Sequence, residues 1–221
     1  MRVAVDGDLA LASGSGNDAP QDVGAAFGLG SERDSPYVRV VAEGEWIDLS
    51  ASGFWLRESG AGVLGAAFGG LPAATPVSAE LELGNFKMAA VVPLRCGPLT
   101  IAPGCLLDVF AIDFRVSESP GNREEVDDVV AVPMPFVRVS APFLGLRATA
   151  EIGYLDAPRF TGVDARFADI EAMLAWQPGQ QLQLFAGYRV LVADANGASS
   201  TDSVAIDLQV SGWFLGGGLR F

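Results

Sequence analysis

Histidine is absent from the chain, lysine occurs once, at Lys87, and two cysteines are present among 221 residues. Each shortage excludes something. Without imidazole, the usual general base for a serine nucleophile is missing, and zinc or copper sites built on imidazole are ruled out. Fourteen basic residues against 27 acidic ones leave a formal charge of −13, which argues against the phosphate-binding footprint that nucleic acid requires. Soluble β-proteins typically spread lysines over exposed strands and sheet edges, so a single lysine points away from an ordinary soluble surface. A spanning helix needs about 18 consecutive apolar residues. The longest uncharged stretch, "GAGVLGAAFGGLPAATPVSA" (60–79), is broken by glycines and two prolines. The opening "MRVAVDGDLALAS" lacks the basic, apolar and small-residue regions of a secretory signal. The chain is therefore read either as not exported or as a mature form with an added Met1, the second following if the strand reading holds.

What is there is half hydrophobic and strongly acidic at once. Nearly every segment alternates at period two, the strand signature. In "QLQLFAGYRVLV", Leu182, Leu184, Ala186, Tyr188, Val190 and Val192 share one face, and Gln181, Gln183, Gly187 and Arg189 the other. The split recurs in "LGLRATAEIGY" and "DIEAMLAW". The expected fold is all-β: one domain over 1–221, an antiparallel up-and-down transmembrane β-barrel of about ten strands, or eight if 36–43 or 129–140 is misread. The strands are expected near 2–12, 36–43, 46–58, 77–93, 104–117, 129–140, 144–157, 163–177, 180–194 and 203–221. Long connections are expected at 13–35, 59–76, 118–128, 158–162 and 195–202. Tight turns are expected at 44–45, 141–142 and 178–179, the loop rhythm of such barrels. Breaks in alternation between Leu83 and Phe86, between Ala111 and Ile112, and around Ser211–Gly212 are read as β-bulges.

A soluble lipocalin-like barrel alternates too, with apolar residues inward. The apolar faces here are nearly free of Lys and Arg. The opposite faces mix both signs: Arg39, Asp48, Glu80, Glu82, Lys87, Asp108, Asp113, Arg115, Arg147, Glu151, Asp169, Glu171 and Arg189. That mixture fits an interior whose charges pair with one another. Tyr37, Trp46, Phe143, Tyr154, Trp176, Trp213 and Phe221 fall near strand ends, where interfacial girdles belong. Pairs such as Asp169 with Glu171 or Glu80 with Glu82 are read as interior charges rather than acid/base machinery. The acidic run "REEVDD" (123–128) is read as a solvated loop, since it lacks the spaced ligands of a hard-cation site. Pro133 and Pro135 in "VPMPF" mark an irregular entry where the wall is locally unpaired. Cys96 and Cys105 flank "GPLTIAPG"; a disulfide there would suit an oxidising compartment, and two unpaired thiols fit equally well.

The ending "FLGGGLRF", preceded by "FAGYRVL" and "VAIDLQVSG", resembles the C-terminal half of small Gram-negative outer-membrane β-barrel proteins, and "SERDSPYVRV" and "LELGNFKMA" upstream look similar too. The resemblance implies a bacterial outer-membrane location, with lipid and lipopolysaccharide around the wall. It also implies a terminal Phe221 read as an assembly signal by the barrel-insertion machinery. It implies no activity and no cofactor. The outer-membrane lipases, lipid A deacylases, palmitoyltransferases and omptin-type proteases rely on a histidine that this chain lacks. The expected function is thus a non-enzymatic outer-membrane barrel, structural or a narrow passage for small solutes, with net interior acidity favouring cations. The alternatives are an adhesion or ligand-binding barrel acting through its long loops, and a soluble lipocalin-like carrier.

Overall fold

A computed structural model describes residues 1–13, 19–118, 121–160, 163–178, 182–198 and 202–219. They form one antiparallel sheet of thirteen strands and one short helix. Ten strands are the long ones foreseen: β1 (Arg2–Ser13), β4 (Tyr37–Ala42), β5 (Asp48–Val63), β6 (Pro76–Val91), β8 (Leu99–Glu118), β9 (Arg123–Phe143), β10 (Leu146–Phe160), β11 (Val163–Trp176), β12 (Leu182–Ala198) and β13 (Asp202–Leu219). The other three are short: β2 (Gln21–Asp22), β3 (Arg33–Asp34) and β7 (Leu94–Cys96). Hydrogen-bonded neighbours run β2-β1-β13-β12-β11-β10-β9-β8-β6-β5-β4, an up-and-down order whose path has two ends.

One residue links the start of β1 to β5. β3 pairs with β1 and β4 pairs with β5. Between β3 and β4, Ser35 exchanges backbone bonds with Met1, donating at 2.7 Å and accepting at 2.6 Å. Its hydroxyl serves the backbone of Trp55, donating to the carbonyl at 2.6 Å and accepting from the amide at 3.1 Å. Below this point β4 lies beside β13 without a ladder, joined by Tyr37 stacked on Phe214 at 4.5 Å.

The connections differ from expectation in extent. Residues 123–128 belong to β9, so β8 and β9 form a hairpin whose connection is confined to 119–122. The turn expected at 141–142 falls at 144–145, where Leu144 and Gly145 both take positive φ, 51° and 79°, as a two-residue hairpin turn demands. The segment 13–35, expected as a loop, holds α1 (Val23–Phe27). Asp22 caps it by accepting from the Ala25 amide at 2.6 Å, and Gly28 ends it in the left-handed region at φ 68°. Its backbone lies directly on β5, where a Cβ at Gly60 would stand 2.3 Å from the Gly28 carbonyl oxygen.

The expected bulges are absent. β6 keeps unbroken register with β5 and β8, and Val77, Ala79, Leu81, Leu83, Asn85, Lys87, Ala89 and Val91 all face inward. What changes along the strand is chemistry at constant parity. Take the end carrying connections 43–47, 92–98 and 144–145 as the lower end. In the lower half of β6, Phe86 and Met88 point out and Lys87 points in; in the upper half, Glu80 and Glu82 are on the outer face and Leu81 and Leu83 face in. The same inversion crosses β5 between Trp55 and Arg57, β8 between Ala111 and Asp113, β9 between Val129 and Asp127, and β11 between Ala168 and Arg166. An apparent phase slip is thus the level at which the outer face turns from apolar to charged.

Candidate functional site

In the lower half, alternation points one or two polar side chains inward from nearly every strand, and they converge on one layer. Arg39 comes from β4, Lys87 from β6, Asp108 from β8, Arg138 from β9, Glu151 from β10, Asp169 and Glu171 from β11, and Arg189 from β12. Their side chains are at most 9% exposed. Register sets Glu151 directly opposite Glu171, a like-charge pair that would be destabilising alone. Arg39 bridges the two, its nitrogens 2.6 Å from Glu171 Oε1 and 2.6 Å from Glu151 Oε1. Arg138 reaches the same Glu151 oxygen at 2.8 Å and donates to Ser50 at 2.6 Å. The Lys87 ammonium stands 3.0 Å from Glu151 and 2.9 Å from Asp169. Arg189 makes a forked pair with Asp169 at 2.9 and 3.1 Å, the strong bidentate geometry. Asn85 donates to Asp108 at 2.6 Å, and the Tyr37 hydroxyl reaches Glu171 at 3.3 Å.

Four cations meet four carboxylates, so the layer is electroneutral. The net interior acidity read from the sequence is not there. Seven of the thirteen expected charges are brought together: Arg39, Lys87, Asp108, Glu151, Asp169, Glu171 and Arg189. Asp48 and Arg147 lie at the lower mouth, lining a polar vestibule with Glu43, Thr149 and Gln183. Glu80, Glu82, Asp113 and Arg115 sit on the outer face of the upper half. There Glu82 pairs with Arg57 at 2.5 Å, and Arg115 pairs with Asp113 and Glu125. The reason is the inversion: above the layer the charged residues of these strands are mostly the outward ones, Glu58 of β5 being a buried exception. Sequence reasoning missed Arg138, whose place in "VRVS" carries the same alternation, and it read the inward Tyr37 as interfacial.

Above the layer the interior is mostly apolar, with the buried Glu58 of β5 held by the Gly30 and Ser31 amides, the Ser31 hydroxyl and Arg33. Leu81, Phe114, Val5 and Leu208 line a narrow crevice with Ile112 and Val126. Its roof is a trio of edge-to-face rings, Phe27 with Phe114 at 5.1 Å and with Phe68 at 5.3 Å.

On the outer face, an apolar belt crosses the lower half of the sheet from β4 to β13. It includes Val38, Leu49, Phe86, Ile101, Val129, Ile152, Ile170, Leu184 and Leu215, all exposed. The four tryptophans edge it: Trp46 and Trp176 at the lower margin, Trp55 and Trp213 at the upper, each more than half exposed. Along β8 the belt runs from Ile101 to Ala111, about 33 Å of strand at ~3.3 Å per residue.

Cys96 and Cys105 are free and exposed. Cys96 opposes Leu99 in the β7–β8 hairpin, while Cys105 stands further along β8 opposite Ala90. The separation from Leu99 to Cys105 is about 20 Å at strand rise, beyond the ~7 Å a disulfide tolerates. Gly212, Gly216 and Gly218 lie inward, and the Phe185 ring covers Gly216 so closely that a Cβ there would be 2.5 Å from it. Phe221 lies outside the described residues. Among the described residues no group of three or more His, Cys, Asp or Glu could hold a metal ion. Among the described residues no helix is long and apolar enough to cross a membrane, which says nothing of strands. Comparison with protein-family models and with curated proteins finds no match.

Proposed function

We propose that the chain is a non-enzymatic integral membrane β-barrel of the bacterial outer membrane, with its lower half in the hydrocarbon and its interior blocked by the neutral charge layer. The wall closes through Arg33–Ala42, which pairs with β1 at its start and with β5 at its end. In hydrocarbon an unpaired backbone group costs several kcal/mol, so closure at Ser35 follows from the environment. The observation that carries this reading is the apolar belt placed outside a level where eight buried charged side chains, four of each sign, pair with one another. A lipocalin-like carrier would have the reverse arrangement at that level. The layer acts as a transverse clamp, tying strands that are far apart in sequence, as Arg39 ties β4 to β10 and β11.

The function that follows is structural and not an open passage. Reconstituted in a planar bilayer, the wild-type protein gives no stepwise conductance, and replacing Arg39 and Arg138 by alanine opens a measurable one. Steady channels from the wild type would refute the blocked interior.

A further inference from the structure

The ladder between β9 and β10 begins at Leu146 opposite Phe143 and stops at Gly153 opposite Phe136. Both strands continue. β9 stays paired with β8 up to Arg123, and β10 stays paired with β11 beyond Gly153, but above Phe136 they no longer pair with each other. The next residues of β9 explain the break: Pro135 and Pro133 have no N–H to offer a ladder. Missing donors also make a free edge tolerable in hydrocarbon, where an orphaned N–H is expensive. Burial marks the same place. Residues 127–131 are exposed on both faces, Val130 included, although its parity points it inward. Inside the break lie Ile112, Val126, Leu155 and Phe167, inward-facing apolar side chains that pack on the core yet remain partly exposed. Below them is the charge layer, above them the Phe27–Phe68–Phe114 roof. The apolar interior is therefore closed at floor and ceiling and accessible at the side, where these four side chains are partly exposed and the free crevice behind them is only about 30 Å³.

We propose that the β9–β10 break is a lateral port at which the tip of an acyl chain from the surrounding bilayer packs onto Ile112, Val126, Leu155 and Phe167. The occupant is fixed by what borders the opening. Val129, Ala131 and Tyr154 on its flanks belong to the exposed apolar belt, and the crevice within is lined by apolar side chains. A polar solute would cross a greasy threshold to reach a greasy room, whereas a hydrocarbon chain exchanges one apolar surrounding for another. The proposal rests on the membrane reading of the belt.

The test uses the full chain reconstituted in phospholipid vesicles containing a fatty acid with a diazirine in its chain, and mass spectrometry of the photolabelled residues. Cys96 and Cys105 are first replaced by serine, and Pro135→Cys with Tyr154→Cys then places thiols where the ladder would next pair. A short bifunctional thiol reagent serves where the direct bond does not form. The expected result is labelling of Ile112, Val126, Leu155 or Phe167 in the reduced protein, a loss of at least tenfold when the two thiols are joined by the direct bond, and recovery on its reduction. Belt residues such as Leu184 and Leu215 stay labelled throughout. Belt labelling without interior labelling overturns the port and leaves the membrane reading standing. Interior labelling that ignores the bridge also overturns the port. Absence of belt labelling overturns the membrane reading itself.

Discussion

Arg189 is the residue on which the interior most depends. Its side chain is fully buried, forked onto Asp169, 3.6 Å from Asp108, and set over the Phe54 ring. A buried pair contributes little net stability against an apolar substitute of similar shape, but removing one partner strands a buried charge. Arg189→Met is therefore expected to destabilise by about 3–5 kcal/mol, measured as a lowered urea midpoint in vesicles. Glu82→Gln breaks only the exposed pair with Arg57 and should cost less than about 1 kcal/mol. Similar shifts for the two would contradict the layer's role. Ser35 makes a second prediction. Ser35→Ala leaves the amide and carbonyl of Trp55 without their partner, an expected loss of about 1–3 kcal/mol in the same assay. A shift near zero would mean that the junction is not holding β1 to β5.

At the scale of the element, legibility followed parity. The ten long strands could be read because apolar alternation survives in every one of them, and the seven convergent charges could be read because they lie where polar still means inward. Glu80, Glu82, Asp113 and Arg115 could not, because above the belt the same parity carries the opposite meaning, and only the third dimension marks that level. Helix α1 escaped because five residues carry no helical period, and its place depends on the glycines of β5, distant in sequence. The wall irregularity at Pro133 and Pro135 was legible, since a missing N–H is a local fact. The cysteine pair was open in the sequence and is decided by hairpin register, a non-local one. Two thiols should titrate in the unreduced protein with a thiol reagent, Cys96 and Cys105 both being exposed. A count of zero would place them in a bridge and displace β7.

At the scale of the molecule, three layers stack along one axis: a polar vestibule, a neutral charge layer, and an apolar chamber under an aromatic roof. The outer surface inverts at the level where the interior does, so each half presents outside roughly what the other holds inside. On the proposed membrane reading, hydrocarbon surrounds the lower half and water the upper half, and the four tryptophans lie on the two borders of the lower one. Their fluorescence tests this most directly. In vesicles of phospholipid brominated near the carbonyl end of the acyl chain, the account predicts that most of the tryptophan emission is quenched, and that bromines at the chain end quench less, because all four side chains sit at the margins of the belt. Emission indifferent to both lipids, from a protein that stays soluble without detergent, would contradict it.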